Sequence, residues 1–158
     1  MKFPKPPWDE ATIRRFFTES PNQLFYSELL GFRFVELNCE EMWFEAGWEP
    51  DNRCSSPTGA VQGGMVTAML DDVMSLAAIT VAGFDGVVPT LEMKTSFISP
   101  VWPGPLKSKG QVIKKGKQFF FTEGWLWDAD DRLLAKASAT CFHKPHSEVK
   151  RIKEERGL

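Results

Sequence analysis

The residues whose types and spacing could do chemistry are Val61-Gln62-Gly63-Gly64-Met65 and, a little further on, Leu70-Asp71-Asp72. Residues 65–83 are apolar almost throughout and read as a helix buried on most of its faces. Carboxylates inside such a helix are costly unless they are paired, hydrogen-bonded or used. A Gly-Gly pair at the start lets a ligand approach bare backbone N–H groups at the positive end of the helix dipole. An anchored acid plus a dipole-backed donor site is equipment for carbonyl chemistry. Positions i and i+8 of a helix are roughly 12 Å apart along the axis, further than an Asp side chain reaches. If Asp71 and Gly63 act on one carbonyl, they come from different chains whose helices lie side by side in opposite directions. The spacing therefore predicts a homodimer with composite sites.

Asp71 and Asp72 compete for the role of the acid. Adjacent helical residues point about 100° apart, so one of them faces the site. Asp71 shares a side with Thr67, Met74 and Ala78, and Asp72 with Met65, Ala68 and Leu76. Periodicity alone leaves the choice open.

The elements that must hold these groups follow from the apolar patterning. Residues 9–18 read as a short helix with Ile13, Phe16 and Phe17 as its apolar positions. Ser20-Pro21 marks a second helix start, carrying Leu24, Phe25, Glu28 and Leu29 and stopping at Gly31. Residues 32–37 alternate as a strand, with 42–48 as the hairpin partner. After the loop 50–58 comes the apolar helix, read as 64–82. Strands follow at 90–98, 106–114, 118–127 and 133–142. A Pro-rich connection spans 99–105, and Lys115-Gly116-Lys117 forms a tight turn with left-handed backbone expected at Gly116. Residues 144–158 are charged and read as an exposed helix or a disordered tail. One long helix followed by strands joined largely by hairpins is an α+β pattern, an antiparallel sheet wrapped around one helix.

Composition bounds the function class. The chain has 158 residues, 42% of them hydrophobic and 25% charged, and a net charge of −2. That balance gives no general attraction to nucleic acid or to an anionic membrane. Cys39, Cys54 and Cys141 form neither a disulfide framework nor a zinc pattern, so we expect a cytoplasmic protein without metal or other cofactor. Residues 1–7 have no apolar core of signal-peptide length. Asp71 and Asp72 interrupt the most apolar window, so no membrane span is expected.

Gln62-Gly63-Gly64, followed by six residues and Asp71, resembles the His-Gly-Gly-(six residues)-Asp signature of hotdog-fold acyl-CoA thioesterases of the 4HBT type, nearest the phenylacetate-pathway branch. The segment from Pro89 to Pro100, Pro103-Gly104, Lys114-Lys115-Gly116-Lys117 and the run from Asp131 to Ala137 are similar to that family's later strands in order and spacing. The resemblance covers residues 25–143, leaving 1–24 as an N-terminal extension and 144–158 as a tail. It implies a hotdog fold and hydrolysis of an acyl-CoA thioester to a free acid and coenzyme A. It places the acid on Asp71, the polarising N–H on Gly63 and a water-placing hydroxyl on Thr90. Gly64 falls in the binding loop, and Ser56 aligns with an asparagine of some members. Lys114 and Lys117 would attract coenzyme A phosphates. The family also implies a homodimer, with dimers pairing into tetramers in many members. Gln62 stands where the family has His. Its amide can donate a hydrogen bond but cannot titrate near neutral pH, which suits an orienting role. A non-catalytic acyl-CoA-binding module and a thioesterase acting on acyl carrier protein are the alternative readings.

Overall fold

The structure, a computed structural model, describes residues 4–19 and 28–155. Helix α1 is Glu10–Glu19. Strands β1 (Arg33–Asn38) and β2 (Trp43–Trp48) form a hairpin. A turn of 3-10 helix at Asn52–Cys54 leads to the long helix α2, Gly63–Val81. Then come β3 (Thr90–Phe97), β4 (Leu106–Lys115), β5 (Phe119–Trp127), β6 (Leu133–Phe142) and helix α3 (His146–Glu155). The helix start read at Ser20-Pro21, with Leu24 and Phe25, lies outside the described residues. Its expected stop is visible, with Gly31 in the left-handed region at φ 62°.

The sheet has six strands in the order β1-β2-β4-β5-β6-β3, and every neighbouring pair is antiparallel. This departs from a hairpin-joined succession in one respect. β3 does not pair with β4. The Pro-rich connection carries the chain across the sheet, and β3 pairs with β6 at its far edge. Among the described residues, that leaves one side of β3 open.

The core lies between α2 and the concave face of the sheet. Val66, Met69, Leu70, Val73, Met74, Ala77 and Ala78 of α2 are buried there. By length and composition α2 could cross a membrane, but in this fold its apolar side is spent on the sheet. Small residues let it sit close. Gly110 of β4, Gly124 of β5 and Ala137 of β6 are register partners in one row across the sheet. A Cβ on Gly110 would stand 2.2 Å from the Val73 carbonyl oxygen, and one on Gly124 would stand 2.9 Å from Met74 Cγ.

The ends of the domain are closed by the terminal segments. Trp8 donates its backbone N–H to Gly83 O at 2.6 Å and stacks on Phe84 with 5.1 Å between ring centroids. Phe17 of α1 packs on Phe34 and Phe44. The N-terminal segment is thus tied to the far end of α2 more firmly than its Pro-rich composition suggests. Gly116 is not in the left-handed region. It must be small because a Cβ there would lie 2.7 Å from the Phe119 carbonyl oxygen. Residues 146–155 take the helical option for the charged tail.

Candidate active site

Gln62 ends an extended stretch (φ −64°, ψ 137°), and Gly63 begins α2. The Gln62 side chain folds back as the helix cap. Its Oε1 accepts from Gly64 N at 2.5 Å and from Met65 N at 3.2 Å. Both partners are donors, so the atom turned toward them must be the amide oxygen. Two of the amides that every helix leaves unpaired at its start are thereby satisfied. Among the described residues, Gly63 N–H has no acceptor. It remains open at the positive end of α2. The expected orienting donation by Gln62 is therefore modified. Its oxygen serves the helix, which leaves the NH2 group as the part of the amide able to donate. Gly64, expected in the binding loop, has its N–H occupied by Gln62.

The acid end lies two turns along the helix. Thr90, the first residue of β3, donates its hydroxyl to Asp71 Oδ1 at 2.7 Å. Ser75 Oγ stands 3.5 Å from Thr90 Oγ1. Between the two ends, Thr67 Oγ1 donates to Thr95 Oγ1 at 3.3 Å. Thr67, Asp71 and Ser75 are i, i+4 and i+8 on one face of α2, so the seam between α2 and β3 is lined by hydroxyls around one carboxylate. That arrangement faces Asp71 toward Thr90. Thr67, Ser75 and Thr95 were not singled out from sequence. The signal was present in the fourfold spacing of polar residues inside an otherwise apolar helix.

The remaining candidates lie elsewhere. Ser56 sits in the loop ahead of α2, its hydroxyl 2.8 Å from that of Thr58. Lys114 and Lys117 are exposed on the β4–β5 hairpin. The neighbouring Lys115 donates from Nζ to Val81 O at 3.0 Å. That hairpin therefore caps the C-terminal end of α2, remote from the Gly63 of the same chain. Burial, reinforced by the nearby Glu10, pushes the Cys39 thiol up to about 11, and burial raises Cys54 and Cys141 as well. No cluster of His, Cys, Asp and Glu among the described residues could hold a metal ion.

Residues 58–135 match the family model of the thioesterase superfamily. They span α2, the Gly-Gly start, Asp71 and most of the sheet. That segment is similar to the thioesterase superfamily, and the fold is that of the hotdog thioesterases. A Ralstonia eutropha phenylacetic acid degradation-related protein, provisionally a thioesterase, superposes with a TM-score of 0.76 at 27% identity. The match covers 82% of this chain and 98% of that one. A Saccharolobus solfataricus protein with a provisional esterase name is 37% identical over 84 residues, or 53% of this chain and 59% of that one. The match thus spans less than two thirds of that curated relative's length. A Streptococcus mutans protein solved with acetyl CoA bound has the same fold, with a TM-score of 0.69 at 16% identity over 80% of this chain and 95% of that one. The thioesterase-superfamily match thus contains both ends of the seam.

Proposed function

We propose that the protein is an acyl-CoA thioesterase that hydrolyses its substrate to a free acid and coenzyme A. The observation that carries this reading is the pairing of an unoccupied Gly63 N–H with an Asp71 carboxylate held by Thr90. The match to the thioesterase superfamily supports thioester hydrolysis in general. The acetyl CoA complex of the Streptococcus mutans protein supports coenzyme A thioesters as the class.

The carbonyl oxygen of the thioester accepts from Gly63 N–H, and the α2 dipole stabilises the charge that develops on it. The Thr90 proton occupies Oδ1 of Asp71, which leaves Oδ2 as the basic oxygen. The carboxylate either takes a proton from water as it attacks the carbonyl carbon, or attacks that carbon itself to give a mixed anhydride that water then cleaves to the free acid and the Asp71 carboxylate. In both routes the C–S bond breaks, and the sulfur leaves as the thiol of coenzyme A once protonated. Label found in Asp71 after a single turnover in 18O-labelled water identifies direct attack with water cleaving the anhydride at the Asp71 carbon, because the general-base route puts the label into the product acid alone.

The site is completed by a second copy of the chain. Gly63 and Asp71 of one chain are too far apart to share a carbonyl. The unpaired side of β3 offers the contact, and Leu91, Phe97 and Ile98 stand exposed along or just beyond it at 57%, 56% and 50%. Full antiparallel overlap of Thr90–Phe97 with its copy puts Phe97 opposite the partner's Thr90, which brings the partner's Asp71 toward Gly63. Ile113, Phe119 and Phe121, exposed on the outer face of the sheet, support a further pairing of dimers. Three free cysteines fit a reducing, cytoplasmic setting.

The test is Asp71→Asn, assayed by thiol release from acyl-CoA substrates of varied length and aromaticity. Turnover should fall by at least about 100-fold with the dimer intact. Full activity in the variant sinks the mechanism. Tight binding without turnover by the wild type would favour a ligand-binding module, and turnover only of carrier-bound thioesters would favour the acyl carrier protein reading.

A further inference from the structure

Phe97 is large, apolar and more than half exposed at 56%, yet it points toward the helix side of β3. Its ring meets Gly63. A Cβ built on Gly63 would stand 3.3 Å from Phe97 Cζ and 3.5 Å from Cε1. Neighbouring helix-facing positions of β3 are hydroxyls or are covered: Thr95 bonds Thr67, Thr90 bonds Asp71, and Met93 packs against the core. The seam thus has one aromatic wall, and it lies against the residue whose N–H is open. Behind Phe97 the sheet is low, because its register partner on β6 is Ala135. The ring therefore stands clear of the sheet floor.

We infer that Phe97 is the specificity-determining residue of the site and that it limits the acyl group to short, unbranched apolar chains. The inference rests on the thioesterase reading above. A thioester carbonyl that accepts from Gly63 N–H brings the substituents of its carbonyl carbon against the Phe97 ring. One substituent is the pantetheine arm, whose amides need hydrogen-bond partners that a phenyl edge does not supply. The other is the acyl chain, for which the ring is a matching surface. In the paired arrangement Phe97 also lies opposite the partner's Thr90, so it stands between the donor of one chain and the acid of the other. A bulky or long acyl group then has to displace the ring. Gly63 cannot yield space in compensation, since it already carries no side chain.

The experiment compares wild type, Phe97→Leu and Phe97→Ala on acetyl-, butanoyl-, hexanoyl- and octanoyl-CoA. The same chain lengths are titrated as S-alkyl-CoA thioethers, which cannot be hydrolysed. Dimer content is checked by analytical ultracentrifugation. The octanoyl-to-acetyl ratio of kcat/KM should rise about tenfold or more in Phe97→Ala, with Phe97→Leu in between. Thioether Kd ratios should move the same way. A uniform loss across all lengths, or unchanged ratios in both measurements, overturns the inference. A wild type that hydrolyses none of the substrates defeats the thioesterase reading instead, and the thioether ratios still decide the role of Phe97.

Discussion

The two sides of α2 are built on opposite rules. The side facing β4 and β5 rests on a floor of Gly110 and Gly124, where the first meets the backbone of Val73 and the second the Met74 and Leu70 side chains. The side facing β3 is lined by Thr67, Asp71 and Ser75 against Thr95 and Thr90, and it opens at an unpaired strand edge. The first side sets how deeply the helix sits. The second is what the fold leaves for chemistry. A carboxylate is tolerable in so apolar a helix because it points into the seam and has a hydroxyl donor. The difference predicts that changes on the floor cost stability and changes in the seam cost activity.

The largest expected effect is on the floor. Gly110→Ala forces a Cβ onto the Val73 carbonyl oxygen, a backbone atom that cannot swing away. It should destabilise the fold by about 3 kcal/mol or more, read as a fall in Tm. Gly124→Ala, whose Cβ meets the flexible Met74 side chain, should cost about 1 kcal/mol. Equal losses at the two sites would break the account of the floor. In the seam, Thr90→Val keeps the volume but takes the hydroxyl donor from the half-buried carboxylate, so kcat should fall about tenfold and stability by about 1 kcal/mol. A Tm loss without a kcat loss would make the Thr90 bond merely structural.

The smallest effect lies outside both regions. The Cys39 N–H and the Arg14 guanidinium hold the Glu10 carboxyl below its ordinary value of 4.5. A depressed carboxylate contributes stability above the unfolded-state value and loses it as pH falls through the folded one. Glu10 is 38% exposed, so solvent screens much of this. Glu10→Gln should lower Tm slightly at about pH 7, and the gap should close by about pH 3. A gap that widens in acid would contradict the assignment.

Much of the fold could be read from alternation and punctuation. The strands at 33–38, 43–48, 119–127 and 133–142 fall within a residue or so of where their apolar patterns place them. The order of the strands could not be read in that way. Pairing of β3 with β6 is decided by contacts across the sheet, to which a local pattern is blind. Asp71 and Gly63 were legible as types and spacing, but the hydroxyl that Asp71 accepts from depends on the strand that carries Thr90. The role of Gln62 was half legible. An amide at the motif position is plain in the chain, but which end of it faces the helix depends on the cap geometry. Phe97 looked like one more strand phenylalanine until the edge position of β3 and its contact with Gly63 were known.

The central claim is that each site takes its donor from one chain and its acid from the other. Gly63→Pro removes the N–H at a helix position that accepts proline, after a residue already in the extended conformation proline prefers. Asp71→Asn removes the acid. The decisive measurement is thioesterase activity after the two variants are unfolded together in equal amounts and refolded. The account predicts that two nearly inactive proteins recover about a quarter of wild-type activity, since half of randomly formed dimers are hybrids with one intact site. A mixture no more active than the sum of its parts would contradict it.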